Sequence, residues 1–79
     1  MSMLVECVPN FSEGRDAAVI RGITAEIEAV RDVTLLDVDP GEDTNRTVIT
    51  FVGPPEAVVE AAFRAGKRAA ETIDMTKHH

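Results

Sequence analysis

A chain of 79 residues has room for one small domain, and its 14 acidic against 8 basic residues leave a net charge of −6. That balance argues against nucleic-acid binding, which rests on clustered Lys and Arg, and Phe11, Phe51 and Phe63 are too few rings to stack a single strand. The single cysteine, Cys7, excludes an intramolecular disulfide and speaks against a Cys-based zinc site. The start, MSMLVECVPN, lacks the basic end and apolar core of a signal peptide, and no apolar run reaches transmembrane length. A cytoplasmic, soluble chain is expected, with no metal, no membrane and no nucleic acid among its partners.

Met3 to Val8 is a short apolar run stopped by Pro9 and Asn10, and it predicts a strand. Phe11 to Gly14 reads as a turn, with Ser12 as helix N-cap and Glu13 and Asp16 suited to the positive end of the helix dipole. From Arg15 to Val30 the apolar residues Val19, Ile20, Ile23, Ile27 and Val30 recur at steps of three and four, the stripe of an amphipathic helix. Within it, Gly22 weakens the helix and suggests close packing.

A second strand is predicted over Val33 to Val38, followed by a polar loop from Asp39 to Asp43. Arg46 to Val52 predicts a third, with Thr47, Ile49 and Phe51 on one side and Arg46, Val48, Thr50 and Val52 on the other. Gly53-Pro54-Pro55 ends it, and Pro55 suits the first position of a helix reaching Thr72 or Ile73. Its buried stripe is read as Val58, Val59, Ala62, Phe63, Gly66, Ala69, Ala70 and Ile73, and the tail from Asp74 to His79 is polar. The order β-α-β-β-α belongs to the α/β class. It describes an α+β sandwich, a ferredoxin-like fragment with one sheet face covered by two helices, incomplete at its C-terminal end for want of a last strand.

Two polar segments invite a site. The run Asp37-Val-Asp39-Pro-Gly41-Glu42-Asp43 resembles a calcium loop, but its sixth position is Glu42 rather than Gly and its twelfth is Val48 rather than Glu. A solvated acidic turn is the simpler reading, although Asp39 ends a strand, where loops present functional groups. The Asn10-Phe-Ser12-Glu13-Gly14 turn offers donors to an anion, or simply caps a helix. Cys7 reads as an inert thiol, and Arg15 and Arg46 each have the fork to grip a carboxylate. Spacing alone goes no further.

Four stretches carry more: LVECVPNFSEGR, LLDVDPGEDTNRTVITFVGPPEAVVE, the Ala-rich second helix, and IDMTKH. Together they resemble the start of the glutamate formimidoyltransferase family, over nearly the whole chain. The resemblance implies transfer of a formimidoyl group from N-formimidoyl-L-glutamate to N5 of tetrahydrofolate, a step of histidine degradation and one-carbon metabolism. It implies tetrahydrofolate as co-substrate, no metal, and a homodimer of two-subdomain modules with folate between the subdomains.

The family's catalytic histidine is the second one of a DM-x-x-H-x-G-E-H-P-R motif. Asp74, Met75 and His78 match its opening and His79 falls on a variable position, so the catalytic histidine is expected just beyond His79. On the matching loops, Asp39 is expected as a supporting catalytic carboxylate, with Asn10, Ser12, Glu13, Asn45 and Arg46 as substrate-binding residues. The fragment alone is expected to be inactive. The rival reading is a non-enzymatic assembly module or split subunit, pairing its open sheet edge with another chain.

Overall fold

The computed structural model describes residues 3–13, 16–41 and 43–77, with side chains to Thr72. Its elements are β1 (Val5–Cys7), β2 (Asn10–Phe11), α1 (Ala17–Glu28), β3 (Thr34–Gly41), β4 (Arg46–Gly53) and α2 (Pro55–Lys77). All strand pairs are antiparallel and all run through β4, with β1 and β2 on one side and β3 on the other. The class and the β-α-β-β-α order are those expected.

β1 and β2 behave as one strand. Val5 faces Gly53, Cys7 faces Phe51, Asn10 faces Val48 and Phe11 faces Thr47, a register that never slips. Pro9 interrupts only the bonding: its carbonyl accepts from Ile49 N–H at 3.1 Å, and its ring nitrogen has no hydrogen to return. Asn10 and Phe11, read from sequence as turn, are therefore paired, and Phe11 is buried.

β3 also exceeds its prediction. Asp39, Pro40 and Gly41, expected in a loop, pair with Val48, Thr47 and Arg46. The register shifts between Leu35 and Asp37, so Leu36 is an extra residue and stands 54% exposed. Residues 43–45 form the turn that leads into β4. Thr44 Oγ1 donates to Gly41 O at 3.3 Å, and Asn45 takes a positive φ of 54°, which Asn tolerates better than most residues.

Helix α1 starts later than predicted, and its N-cap is Asp16 rather than Ser12. The Asp16 carboxylate accepts from Ala18 N–H at 2.9 Å and Val19 N–H at 3.3 Å, while Asp16 N–H donates to Glu13 Oε2 at 3.1 Å. Ser12 is four residues too early to meet those amides. Accordingly, Asp16→Ala should lower stability by about 1 kcal/mol and Ser12→Ala by about 0.3 kcal/mol or less, read from urea midpoints.

Both helices cover the same sheet face, α1 over β3 and β4, α2 over β1 and β4. Between them and the sheet lie Phe11, Val19, Ile23, Ile27, Val30, Ile49, Phe51, Val58, Ala61, Ala65 and Ala69. At Gly22 a Cβ would come to 3.0 Å from the Arg68 guanidinium, the movable end of a long side chain on α2.

The predicted stripe of α2 needs correction. Val58 and Ala69 are buried, but their companions are Ala61 and Ala65, and Val59 and Phe63 stand 69% and 67% exposed. Gly66 and Ala70 are exposed too, while Ala62 is half-buried against the core. At about 100° per residue, Val59, Phe63, Gly66 and Ala70 form a second apolar stripe beside the first. Arg64 and Arg68 on another side of α2 pair with Glu26 of α1. Helix α2 also continues to Lys77, so Asp74 and Met75 are helical rather than tail. His78 and His79 lie outside the described residues, as does Arg15.

Candidate functional site

The sheet face away from the helices is open, and the register decides what it carries. Along β4 the core side holds Thr47, Ile49, Phe51 and Gly53, all buried, while Arg46, Val48, Thr50 and Val52 alternate to the open side. On β1 and β2, Glu6 and Asn10 stand beside Val52 and Val48 and share that side. On β3, the extra residue Leu36 turns Leu35 and Val38 toward the core and brings Asp37 and Asp39 to the open side, beside Thr50 and Val48. Without that bulge, strict alternation would put Leu35, Asp37 and Asp39 on one side together.

One row of this face is therefore Asn10–Val48–Asp39. The two polar residues flank a valine across two strand spacings, about 10 Å between backbones. Arg46 follows one row on, beside Gly41. Ser12 and Glu13 leave β2 at this same end, and Asn45 enters β4 there. The six residues singled out from sequence thus gather at one end of the open face and the turns that border it.

Their surroundings differ. Asn10, Ser12, Asp39 and Arg46 are exposed, whereas Glu13 and Asn45 are half-buried. Glu13 is tied at two points, its carboxylate to Asp16 N–H and its main-chain carbonyl to the Thr47 hydroxyl. Asn45 has a backbone reason to be Asn, the positive φ of its turn. The arrangement brings together the Asp39 carboxylate, the Glu13 carboxylate tied to Asp16 N–H, one guanidinium, two amides and a hydroxyl, groups suited to a polar, partly charged molecule.

Sequence reasoning did not single out Glu6, Asp37 or Thr50 on the same face, nor Thr47 beneath it. Asp37 needed the bulge to be oriented, and a bulge has no reliable signature in a Thr-Leu-Leu-Asp run. Among the described residues, no group of three His, Cys, Asp or Glu side chains is placed to hold a metal ion. No helix among them is long and apolar enough to cross a membrane.

The helix layer carries a separate groove of about 440 Å³, lined by Phe63, Lys67, Glu71 and an ionic cluster. In that cluster Glu26 lies 3.5 Å from Arg64 and 3.7 Å from Arg68, with Glu60 3.9 Å from Arg64. These pairs are solvent-exposed, so each contributes about 0.5 kcal/mol or less. The groove contains none of the residues singled out from sequence.

Comparison with known proteins gives matches over nearly the whole chain. A family model for the formiminotransferase domain, N-terminal subdomain, matches residues 4–79. The chain is 60% identical over 79 residues to a formimidoyltransferase-cyclodeaminase of Dictyostelium discoideum, spanning 100% of the chain and 15% of that relative. It is 51% identical over 79 residues to a glutamate formimidoyltransferase of Streptococcus pyogenes serotype M1, spanning 100% of the chain and 26% of that relative. A glutamate formimidoyltransferase of Thermoplasma acidophilum is 52% identical over 75 residues, spanning 95% of the chain and 25% of that relative. The chain thus spans about a quarter or less of the length of these curated relatives.

Proposed function

Because the chain belongs to the formiminotransferase family through its N-terminal subdomain, we propose that its open sheet face forms part of a site for formimidoyl transfer. The donor is N-formimidoyl-L-glutamate and the acceptor N5 of tetrahydrofolate, within histidine degradation and one-carbon metabolism in the cytoplasm. In this reading the chain contributes to the N-terminal subdomain of a dimeric transferase and does not turn over by itself. The observation that carries this reading is the gathering of Asn10, Ser12, Glu13, Asp39, Asn45 and Arg46 at one end of one face.

The chemistry sets what each group must do. N5 attacks the amidine carbon, a tetrahedral species forms, and the glutamate nitrogen leaves. A base takes the N5 proton and an acid supplies one to the departing amine. The family motif assigns that proton transfer to a histidine that these 79 residues do not include. Asp39 orients the imidazole or stabilises positive charge on the amidine, as a carboxylate does in a site closed from water. Arg46 pairs with a carboxylate of the glutamate part through its planar fork. Asn10 and Asn45 supply amide donors and acceptors, and Ser12 and Glu13 border the pocket.

The test is a formimidoyl-transfer assay on the chain alone and on a hybrid in which it replaces the matching segment of the Streptococcus pyogenes enzyme. Turnover is expected from the hybrid only. An inactive hybrid that folds would overturn the reading.

A further inference from the structure

Thr47 is the one buried polar side chain among the described residues, at 1% exposure. It stands on the core side of β4, between Phe11 of β2 and Pro40 of β3. Neither strand formation nor burial asks for a hydroxyl there, since valine serves both as well. A buried hydroxyl is costly unless it is bonded. The bond it makes is to the main-chain carbonyl of Glu13, 34 positions earlier in the chain. That bond fixes where the chain leaves β2, and so where Ser12 and Glu13 stand relative to Asn45 and Arg46, the two residues just before Thr47.

We propose that Thr47 is a positioning residue for substrate recognition: through the Glu13 carbonyl it holds the Ser12–Glu13 turn at the edge of the open face, without touching substrate itself. This role rests on the reading of the open face given above. A residue that only supported the fold would, when replaced, lower the melting temperature and the yield of active enzyme while leaving KM alone. A residue that sets the turn changes KM.

The experiment compares Thr47→Val and Thr47→Ser in the hybrid enzyme, reading kcat, KM for N-formimidoyl-L-glutamate and melting temperature. Thr47→Val should raise KM about tenfold with kcat within about threefold, and Thr47→Ser, which keeps the hydroxyl, should restore KM. If the valine enzyme does not fold, Thr47→Cys, of similar size and with a weakly donating thiol, reads the same KM. An unchanged KM, or serine as impaired as valine, overturns the positioning role and leaves the transfer reading standing. An unmodified hybrid without turnover overturns the transfer reading, and this role with it.

Discussion

Asp39→Asn in the hybrid enzyme should lower kcat about a hundredfold while KM for either substrate moves little, because removing a charge that acts on the transition state costs rate rather than binding. Asparagine keeps the size and the hydrogen-bonding reach of aspartate, so the strand that carries it is not disturbed. Asp39 is exposed, and among the described residues no side chain is its ion-pair or hydrogen-bond partner. The comparison that gives the number meaning is Asp37→Asn, one row further along the same face beside Thr50. If the two substitutions cost the same, or if Asp39→Asn leaves kcat unchanged, Asp39 has no special place in the chemistry.

Phe51→Ala should lower the stability of the 79-residue chain by about 3–5 kcal/mol, read from urea midpoints. Phe51 is 0% exposed in the middle of β4, with Cys7 beside it on one strand and Leu35 on the other. Truncating a buried Phe costs about 3–5 kcal/mol. At about 0.05–0.15 kcal/mol per residue, a domain of this length has roughly 4–12 kcal/mol in all. Ile49, also 0% exposed two residues away, should behave alike on truncation. A shift of less than about 1 kcal/mol at Phe51 would mean that the core is not organised around β4.

Much of this arrangement is legible in the sequence. The alternation of Thr47, Ile49 and Phe51 against Arg46, Val48, Thr50 and Val52 is the plainest case, because a half-buried strand writes its two faces with a period of two. The steps of three and four gave Val19, Ile23, Ile27 and Val30 as core residues, although Ile20 of the same stripe is only half-buried and Val30 lies past the end of α1 at Glu28. The family was legible too, from long strings rather than from any short motif.

What escaped has physical causes. Helix α2 is apolar over more than one stripe, and periodicity cannot say which part meets the sheet. Close packing on a sheet favoured the small Ala61 and Ala65 over the larger Val59 and Phe63. Pro9 looked like the end of a strand because it cannot donate, yet its carbonyl still accepts and the pairing resumes at Asn10. Pro40 misled in the same way on β3, where Thr47 is its partner across the ladder. The gathering of the site residues depended on both errors being corrected, since Asn10 reaches the Asp39 row only when pairing resumes after Pro9, and Arg46 has a partner in Gly41 only when β3 runs past Pro40.

The pairing of β1 with β4 has a temporal meaning. Val5 faces Gly53, so the strand nearest the start of the chain meets its partner only when nearly fifty further residues exist. At about 5–20 residues per second of synthesis, that is a wait of roughly 2 to 10 s. The β3–β4 hairpin, closed by a short turn, forms within about 10 μs once both strands are out. Until then Met3, Leu4 and Val8 have no sheet beside them, and α1 has no β4 to cover. The growing chain therefore gains its sheet in one late event, when β4 arrives and joins its neighbours, and the core closes only as α2 follows with Val58, Ala61, Ala65 and Ala69.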